Sequence, residues 1–224
     1  MIIVSGASRG LGKAISQRLN DRGYDVFGLA RESNLKVDIL SCDVSSYEQV
    51  KSVAKELKGR KAVIEGIINA AGIASMNLAV TTPRKTTQNI IQTNLIGTIN
   101  CCQLFAPLML RHKRGSIINF STIAVALGLK GESIYAASKA GVEGFSRSFA
   151  REMADFNVRV NCISPGPINT DLLKGVSDNQ IKQIVAQQII PKQFVPSDVC
   201  DLVELLIDDK SKSLSGQVLS VGGI

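Results

Sequence analysis

Residues 2–12 read Ile2-Ile3-Val4-Ser5-Gly6-Ala7-Ser8-Arg9-Gly10-Leu11-Gly12, and this stretch determines the fold class. The apolar run at its start is typical of a buried parallel strand, and the helical spacing of Leu11, Ile15 and Leu19 predicts that a helix follows. Glycines at such a turn allow a tight bend, close approach to a pyrophosphate and close packing of helix on strand. The N–H groups and dipole of the helix N-terminus favour an anion there. The spacing is GxxxGxG rather than GxGxxG, but its place after a strand predicts a nucleotide site.

The rest of the chain alternates short β-branched runs with longer amphipathic segments, which is typical of parallel strands joined by helices. We therefore predict an α/β fold, a single Rossmann-type doubly wound parallel sheet of about seven strands with helices on both faces, forming one domain over residues 1–224. Apolar residues on more than one side of the segment 89–110 predict that it forms one long, largely buried helix. The strand candidates are Ile2–Ser5, Asp25–Leu29, Val37–Cys42, Val63–Asn69, Ser116–Ser121, Arg159–Ile163 and Gln217–Val221.

Two connections do not follow this alternation of strands and helices. Only about seven residues, 30–36, separate the second and third strand candidates, too few for the usual crossover helix. Residues 169–195, by contrast, contain Pro191 and only one helical stretch, 178–188. Long irregular connections in compact domains often cover sites, so we expect 169–195 to form a substrate-binding lid.

The composition is that of an ordinary globular chain: 224 residues, 45% hydrophobic and 20% charged, with an aliphatic core because aromatics are only 4%. Five cysteines without a CxxC pair predict reduced thiols in a cytoplasmic protein. The single histidine, His112, argues against a multi-histidine metal site and a Ser-His-Asp hydrolase, so we expect no metal. We also expect no signal peptide and no membrane span, because no basic leader precedes an apolar stretch and no apolar run approaches about 18 residues.

The net charge of +7 is what a protein that binds an acidic partner would carry. The basic residues are scattered, and the one dense cluster, Arg111-His112-Lys113-Arg114, is typical of a solvated helix end. An acidic protein or a phosphate-bearing partner is the alternative interpretation. We expect no nucleic-acid partner, because the chain shows neither an aromatic platform nor a recognition motif.

The end of the second strand indicates which nucleotide binds. An acidic residue about 20 positions after the glycines accepts the ribose 2′-hydroxyl of NAD, whereas an arginine accommodates the 2′-phosphate of NADP. Arg31 occupies this place, and Arg9 could approach the same phosphate from the glycine turn. We favour NADP(H); NAD(H) stays the alternative because Glu32, next to Arg31, could face the ribose instead.

Tyr135 and Lys139 lie four residues apart, hence on one face of a helix. The same spacing occurs at Tyr47 and Lys51, but on a charged helix with no strand-end hydroxyl cluster and no lid segment. Tyr135 instead follows the strand end Ser121-Thr122, and the carboxyl ends of strands are where open α/β sheets bind ligands.

Taken together and in order, these motifs closely resemble those of the short-chain dehydrogenase/reductase family, over essentially the whole chain, and most closely the bacterial 3-oxoacyl-[acyl-carrier-protein] reductases. The motifs are Gly6, Gly10 and Gly12, Asn69-Ala70-Ala71-Gly72, Asn94, Ser121-Thr122, Tyr135 with Lys139, Pro165-Gly166-Pro167-Ile168-Asn169-Thr170, and Ser215-Gly216-Gln217-Val218-Leu219.

The resemblance implies that a hydride passes from a nicotinamide to a carbonyl carbon while Tyr135 protonates the oxygen. Lys139 would lower the pKa of the phenol and bind the nicotinamide ribose, Thr122 would donate to the substrate oxygen, and Asn94 would hold a water. The expected catalytic residues are therefore Asn94, Thr122, Tyr135 and Lys139. The expected cofactor-binding residues are Gly6, Ser8, Arg9, Gly10, Leu11, Gly12, Arg31, Asp43, Val44, Asn69, Ala70, Ala71, Gly72, Tyr135, Lys139, Pro165, Gly166, Ile168 and Thr170.

Three departures from the family pattern are visible. The catalytic serine falls at Thr122 by its 13-residue distance to Tyr135, the helix between the second and third strands is missing, and Ser220-Val221-Gly222-Gly223 lacks the acidic residue that many relatives carry before the glycines. Threonine keeps the hydroxyl but stiffens it.

We expect an NADPH-dependent reductase that converts a ketone, here a 3-oxoacyl thioester, to a secondary alcohol. A small-molecule ketone or sugar, or a non-catalytic NADP-binding regulator, are the alternatives. The resemblance also suggests a homotetramer or a homodimer.

Overall fold

A computed structural model describes residues 1–32 and 39–224. The strands are β1 (Ile2–Ser5), β2 (Val26–Ala30), β3 (Ile39–Ser41), β4 (Gly66–Asn69), β5 (Gly115–Phe120), β6 (Val158–Pro165) and β7 (Val218–Val221). The helices are α1 (Gly10–Asp21), α2 (Tyr47–Gly59), α3 (Arg84–Ile91), α4 (Gly97–Met109), α5 (Ala124–Leu127), α6 (Ser133–Ala154), α7 (Asp178–Val185) and α8 (Pro196–Ile207).

The strands form one parallel sheet in the order β3-β2-β1-β4-β5-β6-β7. The chain order reverses between β1 and β4, which pair in register from Ile2 with Gly66 to Ser5 with Asn69. The carboxyl ends of both strands therefore meet at one edge, where doubly wound sheets bind nucleotides. The predicted Rossmann-type sheet of seven strands is confirmed.

Helices cover both faces because successive strand residues point to opposite sides. Ile3, Ile67 and Ile117 pack with α2, α4 and α6 on one face. Ile68 and Ile118, one residue further along their strands, pack with α1 and α8 on the other. The core is mainly aliphatic on both sides, with Phe27, Phe105 and Phe149 buried on one face and Phe120 on the other.

The predicted element ends differ from the observed ones in several places. β4 begins at Gly66 rather than 63, β6 continues to Pro165 rather than ending at 163, and α7 ends at Val185. The short connection predicted at 30–36 and the start of the third strand at 37–38 fall largely on residues 33–38, outside the described residues.

The predicted helix 89–110 is longer and less regular than expected. It begins at Arg84 as α3, passes through a π-helical turn over Gln92–Ile96, and continues as α4. Among the described helices, the run Arg84–His112 is long and apolar enough by composition to cross a membrane, but half of its apolar window is buried in the fold. A core helix of this kind explains the apolar pattern on more than one side.

Candidate active site

The glycine turn between β1 and α1 has a conformation that only glycine adopts easily. Gly6 and Gly10 have φ values of +71° and +54°. A Cβ on Gly6 would lie 2.8 Å from the Cα of Ala71, and one on Gly12 would overlap the carbonyl oxygen of Gly6. The first turn of α1 is thus pressed against β1, and the loop after β4 is pressed against the turn.

The N-terminus of α1 fits an anion. Arg9 is its N-cap residue and makes no side-chain hydrogen bond to the first N–H groups, and the first turn contains no acidic residue. Ser8 and Leu11 are half-buried at the same turn, whereas the Arg9 side chain is exposed. Backbone N–H groups and the helix dipole are therefore available to a pyrophosphate, with a guanidinium beside them.

The loop after β4 connects this turn to the reacting end of the site. The Ala71 N–H donates to the Ser5 hydroxyl at 3.2 Å. A Cβ on Gly72 would lie 3.4 Å from Asn94 Oδ1 and 3.6 Å from Lys139 Nζ. Residues 69–72 thus lie between the glycine turn and Lys139, and we refer to this stretch of the surface, from α1 to Lys139, as the groove.

Asn69 itself faces inward. Its side-chain amide donates to Asn119 Oδ1 at 2.8 Å, and its Oδ1 is buried without a hydrogen-bond donor among the described residues. Only the backbone of Asn69 can therefore border the groove.

Asn94 is fully buried in the π-helical turn. Its Oδ1 accepts from the Ile73 N–H at 2.9 Å, and its Nδ2 donates to the Ile73 carbonyl at 2.9 Å and to the Ser138 hydroxyl at 3.0 Å. The amide thereby holds the loop after β4 against α6, one residue from Lys139. π-helical turns of this kind are frequent at functional sites.

Tyr135 and Lys139 are 8% and 4% exposed on α6. Lys139 Nζ donates to the Phe120 carbonyl at 2.8 Å, and burial lowers the pKa of the ammonium to about 8. Burial raises the pKa of Tyr135, the charge of Glu132 raises it further, and the hydroxyl of Thr122 lowers it. The pKa of this phenol is therefore raised and not lowered as expected from Lys139, because desolvation and the charge of Glu132 outweigh the hydrogen bond with Thr122.

The structure separates the two adjacent hydroxyls. Ser121 is buried and donates to Glu143 Oε1 at 2.6 Å, and Glu143 Oε2 accepts from Arg147 at 3.2 Å. Thr122 is half-buried and is the hydroxyl that faces Tyr135. This arrangement agrees with the 13-residue spacing, which pointed to Thr122.

The loop after β6 closes the groove. A Cβ on Gly10 would lie 3.8 Å from Thr170 Cβ, so Thr170 lies over the glycine turn. The Thr170 hydroxyl accepts from the Leu172 N–H at 3.4 Å, and the Ile123 N–H donates to the Pro165 carbonyl at 3.1 Å. Residues 165–170, which include Gly166 and the buried Ile168, therefore run as a strap from Thr122 to the glycine turn.

Three of the expected cofactor-binding residues, Arg31, Asp43 and Val44, follow the carboxyl ends of β2 and β3. Arg31 is exposed, and its carbonyl accepts from the Ser41 hydroxyl at 3.2 Å. Asp43 Oδ1 accepts from the Ser45 N–H at 2.9 Å and hydroxyl at 2.7 Å, and Val44 is buried. Asp43 thus stabilises the turn at residues 43–45 through Oδ1, and its Oδ2 takes part in neither of these two bonds.

Sequence reasoning missed two buried carboxylates of the site. Glu132 is 7% exposed three residues before Tyr135, and burial raises its pKa. Glu143 lies one helical turn after Lys139, so the i, i+4 spacing was a signal that could have found it. The alternative pair, Tyr47 and Lys51, lies on α2, where Tyr47 is 45% exposed.

Comparison with known proteins identifies the family. A family model described as Enoyl-(Acyl carrier protein) reductase matches residues 6–223. The 3-oxoacyl-[acyl-carrier-protein] reductase FabG of Staphylococcus aureus (strain Mu50) is 33% identical, over 99% of this chain and 96% of that protein. Carbonyl reductase family member 4 of Xenopus tropicalis is 34% identical, over 98% and 95%. The ligand-free aldohexose dehydrogenase of Thermoplasma acidophilum superposes with a TM-score of 0.89 at 28% identity, over 99% of this chain and 92% of that one. The chain therefore belongs to the short-chain dehydrogenase/reductase family of oxidoreductases.

Proposed function

We propose that this protein is an NADPH-dependent reductase that converts a ketone to a secondary alcohol. The observation that carries the proposal is the convergence of Thr122, Tyr135 and Lys139 at one end of a groove whose other end is a glycine turn. That arrangement supports a proton donor and a cation that act on one carbonyl compound beside one dinucleotide.

The groove fits a dinucleotide. The free N–H groups at the start of α1 would hold its pyrophosphate, residues 69–72 would flank the adenosine ribose, and the strap 165–170 would hold the nicotinamide end. When bound, the reduced nicotinamide supplies the hydride that the carbonyl carbon receives.

The protein's own groups supply and stabilise the proton. Because burial keeps the pKa of Tyr135 above its ordinary value, the phenol is protonated at neutral pH and can donate to the carbonyl oxygen. The phenolate that forms needs a cation, and Lys139, with a pKa of about 8, is still charged at pH 7. Thr122 would hold the carbonyl oxygen by donating its hydroxyl hydrogen.

NADP(H) is the proposed cofactor because Arg31 and Arg9 are both exposed, Arg31 directly after β2 and Arg9 at the N-terminus of α1. Guanidinium groups suit a 2′-phosphate. Replacing Arg31 with Asp should weaken NADP binding by at least about tenfold and leave NAD binding nearly unchanged. Equal losses for both nucleotides, measured by titration calorimetry, would remove the assignment.

A 3-oxoacyl thioester is the proposed substrate, supported by the names of the relatives at 33–34% identity. The basic cluster 111–114 does not itself support docking of a carrier protein beside this site. The cluster precedes β5, whose six residues span about 20 Å before Thr122 is reached. A small ketone or a sugar is therefore the second candidate, and the aldohexose dehydrogenase at 28% identity supports it.

One assay tests the proposal. NADPH oxidation is followed with acetoacetyl thioesters and with a panel of ketones and sugars, on the wild type and on Tyr135→Phe. We expect turnover by the wild type and its loss in the variant. Tight NADP binding without turnover on any compound would support the non-catalytic regulator instead.

We further propose a single domain in which residues 169–195 form the substrate lid, a cytoplasmic location and a homotetrameric or homodimeric assembly. Size-exclusion chromatography with light scattering tests the assembly.

A further inference from the structure

Gln188 is the buried residue of an otherwise exposed part of the 169–195 segment. It is 5% exposed, whereas Ile189 and Ile190 are 73% and 54% exposed and Gln187 is also exposed. Glutamine is seldom buried in proteins unless its amide is hydrogen-bonded. The contacts of this side chain therefore indicate a specific role.

The amide of Gln188 makes hydrogen bonds at one end only. Its Nε2 donates to the Lys192 carbonyl at 2.9 Å and to the Ile190 carbonyl at 3.4 Å. These two acceptors identify the nitrogen, since an amide oxygen there would face two carbonyls. Its Oε1 is buried without a hydrogen-bond donor among the described residues.

The Gln188 side chain occupies space that two glycines leave open. A Cβ on Gly166 would overlap Gln188 Oε1, and a Cβ on Gly222 would lie 3.2 Å from Gln188 Cδ and 2.7 Å from a ring carbon of Phe194. Gly222 also has a φ of +92°, and its carbonyl accepts from the Ile190 N–H at 2.9 Å. The glycine pair after β7, Gly222 and Gly223, thus packs against residues 188–194 at the end of the 169–195 segment.

Gly166 and Gly222 lie just beyond the carboxyl ends of the neighbouring strands β6 and β7. Gly166 also belongs to the strap 165–170, whose other side borders the groove. Because the Gln188 side chain packs against both glycines, a movement of the lid would also change the packing of the strap.

We propose that Gln188 is a positioning residue that holds residues 188–192 in a turn packed against Gly166 of the strap and against Gly222, so that the ketone is held at a fixed place relative to the cofactor. This inference rests on the proposed function. Gln188 touches no reacting atom and acts through the strap.

Two variants and one matched control test this role. Gln188→Met keeps the volume and removes both hydrogen bonds, and Gln188→Glu keeps the shape and loses the donors. Gln187→Met makes the same change at an exposed position, where the side chain bonds only within its own helical turn.

The first measurement needs no substrate. Limited proteolysis and hydrogen exchange of the full chain report how firmly residues 169–187 are held. Cleavage there should be about tenfold faster in both Gln188 variants than in the wild type, as expected when two neutral hydrogen bonds are lost. The Gln187 control should match the wild type. Unchanged cleavage in both Gln188 variants, or equal acceleration in the control, would overturn the proposal.

The second measurement separates positioning from mere stability. The KM for the ketone should rise about tenfold in Gln188→Met, while kcat and the Kd for NADPH change less than about twofold. Faster cleavage with an unchanged KM would also overturn the proposal. If the wild type turns over no ketone, the proposed function fails, and the cleavage rates still decide whether Gln188 fastens the segment.

Discussion

The adjacent hydroxyls of Ser121 and Thr122 allow a crossed test of the site. Ser121 donates to the buried carboxylate of Glu143 at 2.6 Å, whereas Thr122 faces Tyr135. Ser121→Ala should therefore reduce stability and leave turnover nearly unchanged. Thr122→Ala should do the reverse.

The magnitudes follow from burial and charge. A hydrogen bond to a charged group contributes about 2 kcal/mol, and both partners here are less than 10% exposed. For a chain of this length a loss of 2 kcal/mol lowers Tm by about 6 °C. Removing a donor to the reacting oxygen costs a factor of about 100 or more in kcat.

Thermal and urea denaturation of both variants, together with NADPH-coupled kinetics, measure the two effects. Thr122→Ser is the control, because it keeps the hydroxyl and should retain most of the activity. If Ser121→Ala abolished turnover at full stability while Thr122→Ala stayed active, the assignment of the catalytic hydroxyl to Thr122 would be refuted.

Three further predictions concern buried charge and backbone packing. Because burial lowers the pKa of Lys139 to about 8, the unfolded chain binds more protons between about pH 8 and 10.5, and wild-type stability should rise with pH in that window. At pH 7 the free energy of unfolding of Lys139→Met, measured in urea, should therefore exceed that of the wild type by about 2 kcal/mol. This figure allows for the hydrogen bond to Phe120 that the variant loses, and the difference should disappear by pH 10.5. Gly12→Ala should abolish nucleotide binding in calorimetry, because its Cβ would overlap a carbonyl oxygen of the glycine turn, whereas Gly59→Ala, in open space, should bind normally. Glu132→Gln removes a charge that raises the pKa of Tyr135, so the acidic limb of the alcohol-oxidation pH profile should move to lower pH; a shift to higher pH would contradict the placement of Glu132.

Local chemistry made the fold predictable. The glycine turn at Gly6 to Gly12 and the seven β-branched runs depend on backbone conformation and on short continuous apolar stretches, both of which neighbouring residues determine. The pairing of Tyr135 with Lys139 depends on the helical repeat in the same way. These features specify the sheet, its helices and the place of the groove without knowledge of long-range contacts.

Tertiary packing decided what local chemistry left open. The pKa of Tyr135 depends on how much water the surrounding elements exclude, and neither α6 nor its spacing to Lys139 contains that information. The 13-residue spacing favoured Thr122 over Ser121, but only the position of α6 relative to β5 directs the Ser121 hydroxyl to Glu143 and leaves the Thr122 hydroxyl facing Tyr135. The role proposed for Gln188 depends on Gly166 and Gly222, which are distant from each other in the chain. They contact the same side chain because the parallel pairing of β6 with β7 brings both glycines to the same edge of the sheet.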